Sequence, residues 1–137
     1  MGDAVNLAAR LEPANKDYGT CIIASEFTFE KAKQHIDARL LDKIVVQGKG
    51  KPVCIYEVLG RKGQSSPEMA GLTAVYERAL RLYWERKWDD AIASMEEALK
   101  INPDDGASLQ IISRAKVYRI NPPGPGWTGE YERMSKD

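Results

Sequence analysis

Ala38-Arg39-Leu40-Leu41-Asp42-Lys43-Ile44-Val45-Val46 reads as one strand, and Val53-Cys54-Ile55-Tyr56-Glu57-Val58-Leu59 reads as a second. Between them stands Gln47-Gly48-Lys49-Gly50-Lys51-Pro52, a turn rich in glycine and lysine. Both runs are rich in aliphatic and β-branched residues, which suit a half-buried pleated surface. Two such runs joined by a short glycine-containing segment predict a β-hairpin.

Working upstream, Thr20-Cys21-Ile22-Ile23-Ala24 is short, apolar and β-branched, and predicts a buried strand. Ser25 offers a helix cap with Glu26 in the first turn, followed by Phe27, Phe29, Ala32 and His35 on a short helix. Asn15 to Gly19 reads as a loop with Gly19 as its turn residue. Before it, Asp3 can cap a helix carrying Val5, Leu7, Ala8 and Leu11, closed near Pro13. Helix, strand, helix and hairpin within residues 1–60 suit a layer of helices on a sheet, an α+β class.

Downstream, residues 61–70 are polar, with glycine, serine and proline, and read as a linker. The period then becomes helical. Leu72, Val75, Tyr76, Ala79, Leu80 and Tyr83 share one broad face. A break near Lys87 precedes Trp88, Ala91, Ile92, Met95, Ala98 and Leu99, so two antiparallel helices are expected. Asp104-Asp105 can cap a third helix with Ala107, Leu109, Ile111, Ile112 and Ala115, and residues 71–119 make one helical unit. Residues 120–137 form a Pro/Gly-rich tail, read either as an extended segment packed by Trp127 or as disorder.

The chain has 137 residues, enough for one domain or two small units. Lys plus Arg and Asp plus Glu are 20 each, so the net charge is zero. That balance argues against nucleic-acid binding by bulk electrostatics and against a polybasic membrane surface. A hydrophobic content of 43% supports a core. No apolar run approaches the ~20 residues of a membrane span, and no basic-then-apolar leader is visible. Cys21 and Cys54 stand in strand readings without a CxxC motif, which favours two reduced buried thiols over a disulfide or metal pair. His35 is the only histidine, so histidine-based triads and metal sites have little to work with. A surface or helix-end role is expected for it.

The chemistry lies at the start of the chain, in Gly2-Asp3-Ala4-Val5-Asn6-Leu7-Ala8-Ala9-Arg10-Leu11-Glu12. Asn6 and Arg10 are four apart, which on a helix puts them on one face a turn apart. An amide and a permanently charged planar fork of donors suit a nucleotide. Asp3, just before the helix, reads as an N-cap rather than a metal ligand.

This segment resembles the GDxVNxAxRLE signature of class III nucleotidyl cyclases. Tyr18-Gly19-Thr20, Ser25-Glu26, the turn Gln47 to Pro52 and Ile55-Tyr56-Glu57-Val58 follow in that family's order. The resemblance covers residues 1–60 and implies the C-terminal portion of a catalytic domain with a partial ferredoxin-like fold. It implies cyclisation of ATP or GTP to the 3′,5′-cyclic nucleotide with release of pyrophosphate, by two-metal phosphoryl-transfer logic. Asn6 would orient the ribose, and Arg10 would stabilise charge on the α-phosphate. Lys49 matches a basic position that contacts the triphosphate. Gln47 stands where the family commonly has lysine, so it brings a hydrogen bond without charge. The family's metal-binding aspartates lie N-terminal to this motif, and Met1 abuts it. Magnesium or manganese is therefore expected in a full-length enzyme, with none bound by this chain alone. The resemblance also implies a homodimer, and a cytoplasmic location in a parent with room for a membrane anchor further upstream.

Residues Ala79, Leu82, Trp88, Ala91, Met95, Ala98 and Pro103 are similar in spacing to a tetratricopeptide repeat, with Val75 in place of the usual early tryptophan. One repeat is fewer than the ~3 a free-standing solenoid needs. The alternatives are a generic helical hairpin packed on a neighbour, or a non-catalytic module for protein interaction or dimerisation.

Overall fold

A computed structural model describes residues 22–45 and 50–132. The expected helix from Asp3 to Leu11, the following loop, and residues 46–49 and 133–137 lie outside the described residues. The chain divides into two compact units, residues 1–65 with 130–137, and Ser66–Gly129.

The first unit holds β1 (Ile23–Ser25), α1 (Glu26–Ala32), β2 (Ile36–Val45), β3 (Val53–Arg61) and β4 (Tyr131–Glu132). The sheet order is β1-β3-β2-β4. β3 pairs antiparallel with both β1 and β2, and β4 joins β2 in parallel. The expected hairpin is present and is longer at both outer ends than the apolar pattern marks. Ser25 closes β1 and caps α1, its Oγ accepting from the Thr28 amide at 3.2 Å. The α1 helix then lies on the sheet, with Phe29 stacked on Tyr56 at 4.0 Å between ring centres. The Cys54 amide donates to Glu26 Oε1 at 2.6 Å, which ties the first helical turn to β3. His35 is exposed in the turn that ends the helix.

Directly opposed residues share a face of the sheet. Leu40 faces Tyr56 and Lys43 faces Cys54 on the α1 side. Arg39 faces Glu57, and Asp42 faces Ile55, on the other side. The register shifts between Leu40 and Asp42, so Leu41 is an extra residue on β2. This bulge keeps Arg39, Asp42 and Ile44 on one face, where strict alternation would have divided them. Leu41, Asp42, Ile44 and Ile55 are all fully buried.

A second shift lies between Asp37 and Ala38. There the Asp37 carboxylate accepts from the amides of Gly63 at 3.0 Å and Ser65 at 3.2 Å. Gly63 has φ +81°, a left-handed conformation that glycine adopts without a Cβ clash. Asp37 thereby closes the turn by which the chain leaves the sheet.

The second unit is α2 (Pro67–Trp84), α3 (Trp88–Ile101) and α4 (Gly106–Ile120). The α2 helix begins inside the stretch expected to be linker. Ser66 caps it, accepting from the Met69 amide at 3.0 Å, and Pro67 occupies the first turn. Successive helices are antiparallel. Tyr83 at the end of α2 meets Trp88 at the start of α3, and Arg78 lies opposite Glu97. Arg119 near the end of α4 bonds Asp89 near the start of α3 at 2.8 Å. The core is Leu72, Tyr76, Ala79, Leu80 and Tyr83, then Ala91, Met95 and Ala98, then Ala107, Ile111 and Ala115. Alanines at these crossings let the helices approach, and each larger buried side chain contributes about 1.5–3 kcal/mol. Asp105 caps α4 as expected, taking the Ser108 amide at 3.1 Å and its hydroxyl at 2.6 Å. Leu109, expected in the core, is 49% exposed, because the buried face of α4 runs instead through Ser108, Ile111 and Ile112.

Trp127 packs into the helical unit. Its ring centre lies 5.5 Å from those of Tyr83 and Tyr118 and 5.7 Å from that of Trp88. Of the two readings of the tail, the packed one describes residues up to Gly129.

The Asp37 carboxyl is held below the ordinary carboxylate range, chiefly by the Gly63 amide and then by the Ser65 hydroxyl. A lowered folded pKa adds stability above the unfolded value and loses it as pH falls through the folded one. Asp37→Ala is therefore expected to lower Tm at neutral pH. The gap to the native chain should close as pH falls through the lowered pKa of Asp37. A gap that persists in acid would show that the carboxylate charge is not what closes the turn.

Candidate functional site

Asn6 and Arg10, the pair expected to handle ribose and α-phosphate, lie outside the described residues, and so do Gln47 and Lys49. The described residues supply the frame of the hairpin turn. Val45 ends β2, and Gly50 opens the return with φ +83°. Lys51 and Pro52 are exposed, and β3 starts at Val53. The last β2–β3 pair is Ile44 with Val53. Pro52 has no amide N–H to extend the ladder. The turn thus springs from two strands anchored by Ile44, only 2% exposed, and by a proline stop.

Two further features of this frame concern charge. Arg39 is 2% exposed in its side chain, and both its Nε and Nη2 donate to Glu57 Oε1, at 3.2 and 2.6 Å. Glu57 is 17% exposed. This is a cross-strand ion pair inside the sheet unit, and the sequence reading did not single it out. A signal was present. A hairpin folded about Gly48 sets Arg39 opposite Glu57, and a charge within an apolar strand needs a partner.

Cys54 is a free thiol, half-buried rather than buried as expected. Burial pushes its pKa up, the Glu26 carboxylate raises it further, and Lys43 opposes them. It is therefore held as the neutral thiol, a poor nucleophile and metal ligand. Among the described residues no group of three His, Cys, Asp or Glu side chains is placed to hold a metal ion. No helix among them is long and apolar enough to cross a membrane.

The chain is similar to three adenylate cyclases. It is 33% identical over 118 residues to the terminal-differentiation-specific adenylate cyclase of Dictyostelium discoideum, which covers 83% of this chain and 6% of that protein. It is 43% identical over 60 residues to adenylate cyclase 1 of Rhizobium meliloti (strain 1021), covering 44% of this chain and 9% of the relative. It is 41% identical over 61 residues to the adenylate cyclase of Anabaena cylindrica, covering 42% of this chain and 12% of the relative. A region of this chain is related to adenylate cyclases. The chain spans between 6% and 12% of the length of these relatives. A match over 83% of the chain also reaches into the helical unit. No family profile and no solved structure matches the chain.

Removing one partner of a buried ion pair leaves the other charge less compensated, whereas replacing both with apolar groups avoids that cost. Glu57→Leu is expected to destabilise the sheet unit by roughly 2–3 kcal/mol in urea unfolding. The Arg39→Met/Glu57→Leu double variant is expected to lose less than Glu57→Leu alone. A double variant that is worse than the single would show that Arg39 is held mainly by other groups.

Proposed function

We propose that this chain is the C-terminal part of a class III nucleotidyl cyclase catalytic domain, with a partial ferredoxin-like fold, followed by a tetratricopeptide-like helical unit. The similarity to three adenylate cyclases carries the reading, and the ordered motifs within residues 1–60 agree with it. In the intact enzyme, ATP or GTP is converted to the 3′,5′-cyclic nucleotide and pyrophosphate in the cytoplasm for intracellular signalling. Asn6 orients the ribose, and Arg10 places a fixed cation against charge that develops on the α-phosphate. Lys49 and Gln47 meet the triphosphate from the hairpin turn. Magnesium or manganese, when bound, would activate the attacking hydroxyl and neutralise phosphate charge, held by carboxylates that the resemblance places N-terminal to the Asn6–Arg10 motif. The site forms across a homodimer. The helical unit offers a surface to a protein partner.

Two measurements test this. The purified chain with ATP or GTP and Mg²⁺ or Mn²⁺ is expected to yield no cyclic nucleotide; robust product would overturn the division of the site. In the full-length enzyme, Arg10→Ala is expected to lower kcat by ~10²–10³, the loss typical of one transition-state donor. An unchanged kcat would remove Arg10 from the mechanism.

One observation favours a second reading, a non-catalytic interaction or dimerisation module. The α4 helix exposes Leu109, Val117 and Ile120, the last at 75%. On this reading light scattering gives a dimer or larger species, and Val117→Asp with Ile120→Asp restores the monomer. A native chain that is monomeric and captures no partner would count against the module.

A further inference from the structure

Within the helical unit, each helix brings one ring to the reversal between α2 and α3. Tyr83 stands at the end of α2, Trp88 opens α3 and Tyr118 lies in the last turn of α4. Their ring centres are 5.7 Å apart for Tyr83 and Trp88, 5.5 Å for Trp88 and Tyr118, and 6.2 Å for Tyr83 and Tyr118. Trp127 joins them from outside the helices, 5.5 Å from Tyr83 and from Tyr118 and 5.7 Å from Trp88.

Arg86 stands at the rim, and α2 itself sets its backbone. The Arg86 amide donates to the Tyr83 carbonyl and the Lys87 amide to the Leu82 carbonyl, both at 3.0 Å. This pair of bonds ends a helix around a left-handed residue, here Arg86 with φ +67°. The guanidinium is thereby aimed by the helix end rather than by what it meets. It donates to the carbonyls of Pro123 at 3.0 Å, of Gly124, and of Trp127 at 3.4 Å, and it lies 5.5 Å from the Trp127 ring centre. Every residue carries a carbonyl, so these bonds read the path of a chain and not its side chains. The aromatic walls read the ring.

The segment that fills this socket is largely on the surface. From Asn121 to Thr128, Pro123 and Trp127 are half-buried and the other six residues are exposed. Pro122, Pro123 and Pro125 each fix φ near about −65°, so little backbone freedom is lost on docking. A proline-rich segment seated on an aromatic-lined groove is a recurring mode of peptide recognition.

We propose that the socket of Tyr83, Trp88, Tyr118 and Arg86 is a binding site for a proline/glycine-rich segment bearing a tryptophan on another protein. Residues 123–127 are its resident occupant, and such a partner displaces them. The proposal rests on the reading of the helical unit as a surface for a protein partner, and it gives that partner its chemistry. The tethered occupant competes at an effective concentration on the order of millimolar. The site is therefore closed to weak partners and opens to one that outcompetes the chain's own segment.

A labelled peptide with the sequence of residues 121–129, added to the full chain and followed by fluorescence anisotropy, tests this. Trp127→Ala empties the socket and leaves its walls. The peptide is expected to bind that variant at least ~10-fold more tightly than the native chain, where the tethered segment competes. Adding Arg86→Ala, or giving the peptide alanine for its tryptophan, is expected to weaken binding at least ~10-fold. On the native chain, excess unlabelled peptide is expected to move the Trp127 indole N–H resonance. The proposal is overturned if Trp127→Ala binds the peptide no better than the native chain does. It is equally overturned if Trp127→Ala loses its helical circular dichroism, because the helices would then not build the socket by themselves, or if the indole resonance stays in place at saturating peptide. A peptide that fails while Val117→Asp with Ile120→Asp still converts a dimer to a monomer overturns the socket and keeps the interaction module.

Discussion

Arg39 and Glu57 meet across the hairpin with almost no solvent at the guanidinium, and this sets the register of the sheet unit. A slip of one residue would turn Arg39 toward the face that carries Tyr56 and Phe29, where an unpaired charge would be buried among rings. The Leu41 bulge then lets Asp42 and Ile44 stay on the Arg39 face, so the hairpin needs the pair and the bulge together. β1 and α1 build on the register so fixed. Ser25 ends one element and caps the next, and Glu26 reaches the Cys54 amide only because β3 presents it there. The three-residue β1 and seven-residue α1 lie below the length at which either stands alone in water.

The helical unit solves a different problem, the reversal between α2 and α3. Arg86 takes the turn with φ +67°, a position that usually belongs to glycine or asparagine. A left-handed arginine costs on the order of 1–2 kcal/mol. Its side chain offsets this with bonds to the carbonyls of the returning tail and its place over Trp127. The conformation that strains the backbone is the one that aims the guanidinium at residues 123–127.

Elements whose signals are local could be read from the sequence. The hairpin, the Ser25 cap, the Asp105 cap and the apolar faces of α2 and α3 each depend on residues within a few positions of one another. The start of α2 is masked in the sequence by the linker-like composition of Ser66-Pro67, although serine before proline is also a cap and first-turn pair. Leu109 lies outside the core, and the sequence conceals this because α4 carries apolar residues all round, and periodicity cannot choose a face there. β4 could not be read at all. A two-residue strand has no pattern, and its partner lies more than eighty residues away in the chain. For the candidate site, the family motif named Asn6, Arg10, Gln47 and Lys49, and the described residues supply only the frame of the turn.

The described ends of the hairpin show what limits its ladder. A ladder stops where an amide is missing or the chain leaves the extended conformation. Pro52 supplies the first condition, ending the ladder at Ile44 and Val53, and Gly50 supplies the second by taking a left-handed conformation with no side chain nearby. Each step leaves the last residue of β2 less supported from the β3 side. The parallel strand β4 pairs with the same end of β2 on its other edge. Tyr131 and Glu132 thus pair with the two residues at which the β2–β3 ladder runs out.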